Sequence, residues 1–436
     1  MEQKEKVLSE NRKHNMKLYS VHRMLTADLL FYYAVEYIFL TQVKGLSAGD
    51  IVLANAFWGV FQFILQIPTT VLSEKIGDRK SIIISNITSA IEVIIILFCN
   101  SFGILLISYF LSAFSYAIGG VSGNRMLNQS IPNCEKHKSN IFANIEAKGL
   151  ENFYFISAIS GMLSGFLYLI NPYIPFIVCI LISLVAARIA TFYTDIKQKD
   201  EVDDENISKK YSEYFHDLKV AFSFIFTSKR LKALMLYSGF MFSLIIVMNN
   251  YEMGLLEEIN VSAAGIGAIY ALMQIVAGIA SKNHNKFHKK FKNKTLGIIG
   301  LSFTIACLLA GIIACSKISN FATVVIIIMT YAIRYIGTGS YNVLIKKYIT
   351  NFTDTKMAND VYSANCVVTG LGNALVCIVG ALIVSNNNLK YSMIIFGALS
   401  TFVMILILIF MKTRVGLKPE EYERKDIDYK EFLNLK

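Results

Sequence analysis

The chain has 436 residues, of which 54% are hydrophobic and 17% charged, with a formal net charge of +11 and a mean hydropathy of +0.50. Soluble domains carry roughly a quarter charged residues, so an ordinary soluble protein is excluded. Long unbroken apolar runs exclude a β-barrel, whose strands alternate. The expected fold class is an all-α polytopic membrane protein, and the Lys/Arg excess reads as the positive-inside rule rather than nucleic-acid binding.

Residues 1–23 are polar and carry both signs, so they are expected to form a tail with no cleavable signal. Apolar stretches near the roughly 20 residues that cross a bilayer core then recur to the end of the chain. Six spans are expected at about 24–43, 49–72, 81–99, 103–125, 141–168 and 174–194. Residues 195–230 form a polar central loop, within which Tyr211, Tyr214, Phe215, Leu218 and Phe222 recur at helical spacing. That pattern suits an amphipathic surface helix or an early start to the next span. Six further spans follow at about 231–256, 262–282, 295–314, 319–343, 359–384 and 390–412, and 413–436 form a second polar tail. The expected units are therefore 24–194 and 231–412, joined by 195–230.

With the N-terminus in the cytoplasm, only Lys44, Lys317 and Lys390 of the 42 Lys and Arg fall on outer loops or their edges. This asymmetry places both termini inside the cell membrane. The seven cysteines make no C-x-x-C pair and the six histidines lie outside the expected spans, so no metal, disulfide framework or histidine relay is expected. No P-loop is present and no cofactor is expected.

The halves repeat each other. GLSAGDI at Gly45 parallels NVSAAGI at Asn260, YAIGGVSGN at Tyr116 parallels YAIRYIGTGSYN at Tyr331, and ANIEAKGLEN at Ala143 parallels ANCVVTGLGN at Ala364, with offsets of 215 to 221 residues. Such repeats build transporters with a site between the halves near the bilayer midplane.

Between spans two and three the chain reads IPTTVLSEKIGDRK, Ile67 to Lys80. Twelve spans as six plus six, a central loop and this charged loop resemble the major facilitator superfamily, whose motif there is Gly-x-x-x-Asp-Arg-x-Gly-Arg-(Arg/Lys)-(Arg/Lys). Glu74, Lys75, Gly77, Arg79 and Lys80 match; Thr70 replaces the first glycine and Asp78 the first closing arginine. The resemblance implies a transporter that works by alternating access, with the loop as an inner gate latch pairing across the two bundles.

Ionisable groups within a span are costly and usually functional. Glu36, Glu92, Glu151 and Arg334 stand deepest by this reading, and the three carboxylates are the candidate proton carriers, Glu36 first. Asp28, Glu146, Lys148, Arg125 and Arg188 lie nearer span ends, where local pairing is the plainer reading. The resemblance puts spans one, four, seven and ten around a central cavity, so Arg334 is expected to face Glu36. Tyr32, Gln62, Gln66, Asn249, Asn250, Gln274, Tyr331, Tyr335 and Asn342 are the candidate lining, among 30 Phe and 23 Tyr that also suit interfaces and packing. Gly161 and Gly165 in span five have the spacing of close helix packing.

The expected function is proton-coupled efflux of a lipophilic or cationic small molecule by a monomeric secondary transporter. Proton-coupled uptake of an anionic or zwitterionic solute, with Arg334 as the binding cation, is the alternative within transport. A non-transporting receptor or accessory protein of the same fold is the alternative outside it, and no enzymatic centre is expected.

Overall fold

A computed structural model describes residues 2–132, 138–196, 207–291, 294–316, 319–353 and 358–415. They form helices throughout, since in a bilayer a backbone that pairs within its own segment leaves no polar group unmet. The first half comprises α1 (Glu2–Thr26), α2 (Glu36–Ile38) with a π-helical turn (Phe39–Val43), α3 (Ala48–Ile76), α4 (Asp78–Leu97), α5 (Phe102–Ser130), α6 (Lys138–Ile170) and α7 (Ile174–Ala190). After α8 (Ile207–Thr227) the second half comprises α9 (Lys229–Glu258), α10 (Ala263–Lys282), α11 (His284–Phe291), α12 (Thr295–Ala314), α13 (Asn320–Phe352), α14 (Ala358–Asn386) and α15 (Leu389–Val415).

Sequence signals set several helix starts. Ser47 and Asp50 exchange side-chain and backbone bonds as a capping box that opens α3. Ser228, Ser262 and Ser319 accept from backbone N–H groups at the starts of α9, α10 and α13. Ser228 also makes α8 a separate helix rather than an early start to α9. The buried face of α8 carries Ala221, Phe224 and Ile225, whereas Phe215 is exposed; the side chains of Tyr211 and Tyr214 lie outside those described.

Ten helices are long and apolar enough to cross a membrane among the described residues. They match spans two to five and seven to twelve. Span six is the shorter apolar α7. Span one differs from expectation because it is not one helix. Its first part is the end of α1, so residues 2–23 are helical and not a tail. His14 lies beside the Phe192 carbonyl just past α7, at 3.2 Å, and Asn15, Tyr19 and His22 are buried farther in. Their polarity hid this packing, because each finds a partner: Asn15 Nδ2 donates to the Thr194 carbonyl, Tyr19 to Glu146, and Asn86 Nδ2 to His22 Nε2. His22 is thus buried among the helices of the first half.

The halves meet along two seams, α3 against α14 and α6 against α10. Both depend on missing side chains. A Cβ on Gly59 would meet the Gly370 carbonyl at 2.6 Å, and one on Gly267 would meet the Gly161 carbonyl at 2.6 Å. The Gly161/Gly165 face of α6 is therefore turned to α10.

Candidate functional site

Span one breaks between α1 and α2. Phe31 takes a left-handed backbone, φ 65°, a conformation uncommon outside glycine. Its carbonyl, freed from the helical ladder, accepts from Ser164 Oγ of α6 at 2.9 Å. Broken helices of this kind are tolerated in membranes where they line a cavity. Asp28 sits in the break. It is exposed, hydrogen-bonded to the Leu29 N–H at 3.0 Å and partnered by Tyr33. Its charge also reaches Tyr116 of α5, Tyr154 of α6 and Tyr270 of α10. A group exposed yet ringed by helices of both halves faces a chamber between them. Asp28, expected near a span end, thus lies in the break between α1 and α2, within reach of groups from both halves.

Other chamber groups follow from the same neighbours. Tyr116 is 54% exposed. Tyr154 is partnered by Asn342 across the halves, and Tyr270 by Ser157 and Gln274. Trp58 of α3 and Phe242 of α9 stack across the halves with centroids 6.5 Å apart. Tyr331 is buried, its hydroxyl donating to the Glu252 carbonyl at 3.3 Å, and Gln62 and Gln66 are buried on α3.

Glu36 is buried one helical step beyond the break. Tyr32 and Tyr109 hydroxyls both donate to its Oε1, at 3.0 and 3.1 Å. Among the described residues no basic group pairs with it, and the expected Glu36–Arg334 pair is not made. Arg334 instead pairs with Glu252 of α9, both at most 2% exposed. It also donates to Asn249 Oδ1 at 3.2 Å and lies over the Tyr335 ring at 4.2 Å. Glu252 escaped sequence reading because it lies near the drawn end of span seven. Charge balance could have found it: it is the single acidic residue of expected spans seven to ten, and a buried arginine requires a counter-charge.

Glu92 is buried on α4, partnered by Ser112 and within reach of Glu36. Glu151 is a correction. Its side chain is 44% exposed and paired with Lys282 of α10 at 3.0 Å and Lys148 at 3.7 Å, so the desolvation argument for a proton carrier does not apply. It is an ion pair between the halves. Arg23 pairs with Glu146 at 3.2 Å.

The charged loop is held within the first half. Gly77 turns the chain at φ 88°, which favours glycine. Asp78 starts α4 and binds Arg125 of α5 at 2.6 Å, while Glu74 lies 3.5 Å from the same guanidinium and Ser73 accepts from it at 3.0 Å. The Arg79 N–H donates to Asp195 at 3.3 Å. Asp78, which departs from the motif, is thus the best-paired acid of the loop. Among the described residues the acids of the loop make no pair across the bundles. On the side away from the termini the halves are bridged: Thr41 and Gln42 donate to Glu257 of α9, at 3.1 and 2.9 Å.

Two helical halves around a chamber of ionisable and aromatic groups define a membrane transporter. The Major Facilitator Superfamily profile matches residues 24–365 and 256–434, and the chain belongs to that family. It is thereby a transport protein and not an enzyme. No curated protein matches the chain. Among solved structures, the nucleoside transporter NupG is similar at 12% identity with a TM-score of 0.68, over 92% of this chain and 99% of that one. A POT family transporter in complex with 5-aminolevulinic acid is similar at 13% identity with a TM-score of 0.64, over 93% and 96%. These likenesses concern the fold.

Proposed function

We propose that the protein is a proton-coupled exporter of a cationic or neutral hydrogen-bonding small molecule, acting in the cytoplasmic membrane with both termini inside. The observation that carries the reading is Glu36, a buried carboxyl held by two tyrosine hydroxyls without a basic partner among the described residues. Such a group can take up and release a proton without breaking an ion pair.

The cargo follows from which charges are free. Arg334 is committed to Glu252 and Arg23 to Glu146, so neither is left to anchor an anion. Asp28 is the exposed acid of the chamber, and Tyr116, Tyr154 and Tyr270 surround it with rings that suit a cation or a flat polar molecule. The direction has a physical argument. An inside-negative potential already draws a cation inward, by about 2.3 kcal/mol per charge per 100 mV, so a proton-driven carrier for such a compound does work by expelling it.

Uptake of a neutral polar solute is the second reading. The amides of Asn249, Gln274 and Asn342 favour it, and the similar structures are a nucleoside transporter and a POT family transporter in complex with 5-aminolevulinic acid.

The test is flux in proteoliposomes with and without a pH gradient, for the native chain, Glu36→Gln and Asp28→Asn. Glu36→Gln is expected to abolish gradient-driven flux while leaving exchange down a substrate gradient. Asp28→Asn is expected to weaken cationic substrates more than neutral ones. Undiminished gradient-driven flux in Glu36→Gln would remove the proton assignment, and accumulation of the compound by cells expressing the protein would reverse the direction.

A further inference from the structure

We propose that Tyr109 is a positioning residue that carries the protonation state of Glu36 to the α3–α14 seam. The inference rests on the reading of Glu36 as the proton-bearing group.

The relay begins at one oxygen. Glu36 Oε1 accepts from both Tyr32 and Tyr109. An ionised carboxylate holds two phenolic hydrogens strongly, because charge-assisted hydrogen bonds are about twice as strong as neutral ones. A protonated carboxyl brings a hydrogen of its own and has less need of both. Tyr109 has a single hydrogen and two lone pairs. When the acid is protonated, its hydroxyl is free to turn.

Its other neighbour is the side chain of Asn55 on α3. That amide is anchored, with Nδ2 donating to the Ile51 carbonyl at 3.0 Å. The main-chain carbonyl of Asn55 accepts from Asn373 Nδ2 of α14 at 2.8 Å, across the seam. Asn373 is fully buried and its Oδ1 accepts from Cys377 Sγ at 3.1 Å. One turn along, Gly59 and Gly370 leave no space for a Cβ between the helices. Asn55 thus meets Tyr109 through its side chain and Asn373 through its main chain, so this one residue links the hydroxyl on Glu36 to the contact that joins the halves.

The charged and titratable groups around Glu36 leave this path open. Tyr32 and Tyr33 face it from its own segment, Tyr109 from α5, Glu92 from α4 and Asp28 from the break. On α9, which packs against α2, the near acid is Glu257, engaged by Thr41 and Gln42 farther out. Among the described residues no cation acts on Glu36, so the hydroxyls respond to its proton undamped by an ion pair.

The experiment uses the full chain in proteoliposomes, with spin labels on α3 and α14 flanking the seam. Flux and label separation are read at mildly acid and mildly alkaline pH for the native chain, Tyr109→Phe, Asn55→Ala and Glu36→Gln. Asn55→Ala keeps the carbonyl that Asn373 binds and removes only the amide. The native chain is expected to show a several-fold flux ratio between the two pH values and a separation that moves with pH. In Tyr109→Phe and Asn55→Ala the ratio is expected to collapse to near one and the separation to stop responding, while exchange without a gradient persists. A purely structural tyrosine would lower both fluxes and leave their ratio unchanged. Native pH response in either of these variants, with response lost in Glu36→Gln, overturns the relay and leaves the Glu36 assignment standing. Native response in Glu36→Gln overturns that assignment itself.

Discussion

Glu252 and Arg334 form the deepest ion pair described, and burial makes the two strongly dependent on each other. Removing one partner strands a charge in a low-dielectric interior, at a cost of about 3–5 kcal/mol. Arg334→Met alone and Glu252→Gln alone should each lower the detergent melting temperature sharply. The double variant should recover much of the loss, and a double-mutant cycle of the melting curves checks this. Gly77 makes a smaller prediction. With φ at 88° and ψ at 155°, Gly77→Ala should cost about 1–3 kcal/mol in the turn, again read as a melting shift, with the Arg125 pairs left in place. The same pair shows what residue-level reading reaches. Arg334 is conspicuous in an apolar run, but its partner is fixed by which helix faces which. The family's arrangement of spans around a cavity pointed to Glu36; packing chose Glu252 instead.

The helices divide into those whose apolar pattern announces them and those whose side chains are satisfied by one another. Spans two to five and seven to twelve belong to the first kind and were legible from hydropathy alone. Span one belongs to the second. Its inner part reads as a polar tail because Asn15, Tyr19, His22 and Arg23 are hydrophilic, yet each is paired inside the first half. Asp28 follows this helix in the break before α2, so the same polarity hides its place among groups of both halves. The seams test element packing. Gly267→Val puts a branched side chain where even a Cβ would meet the Gly161 carbonyl at 2.6 Å. It should impair transport more than it impairs substrate binding, since α6 and α10 must keep close contact while the halves move. Substrate-binding titration beside flux measurement separates the two effects.

At the scale of the whole molecule the two halves are joined on the side away from the termini by Thr41, Gln42 and Glu257, while among the described residues the acids of the charged loop are paired only with Arg125 of their own half. Alternating access requires the first set of contacts to open. A cysteine pair in place of Thr41 and Glu257 should cross-link under oxidation, stop transport, and release it on reduction. Transport that continues in the cross-linked protein would show that this bridge does not open in the cycle. The repeat of GLSAGDI and NVSAAGI made the two-half plan legible early. The partners of the loop were not, because Arg125 stands some 50 residues from Asp78 and only the fold brings them together.

The broken first span also bears on how the protein is made. Its inner part is too polar to partition into lipid alone, where an arginine at mid-depth costs about 2.5–3.5 kcal/mol by insertion scales. The groups that neutralise this polarity are Asn86, Glu146 and the Thr194 carbonyl, and all leave the ribosome later than span one. This segment emerges before the groups that neutralise it and is therefore among the last parts of its half to settle. Until α6 and α7 arrive it must wait at the membrane surface or be sheltered by the insertion machinery, and a nascent chain ending before Glu146 should leave it accessible to water-borne thiol reagents.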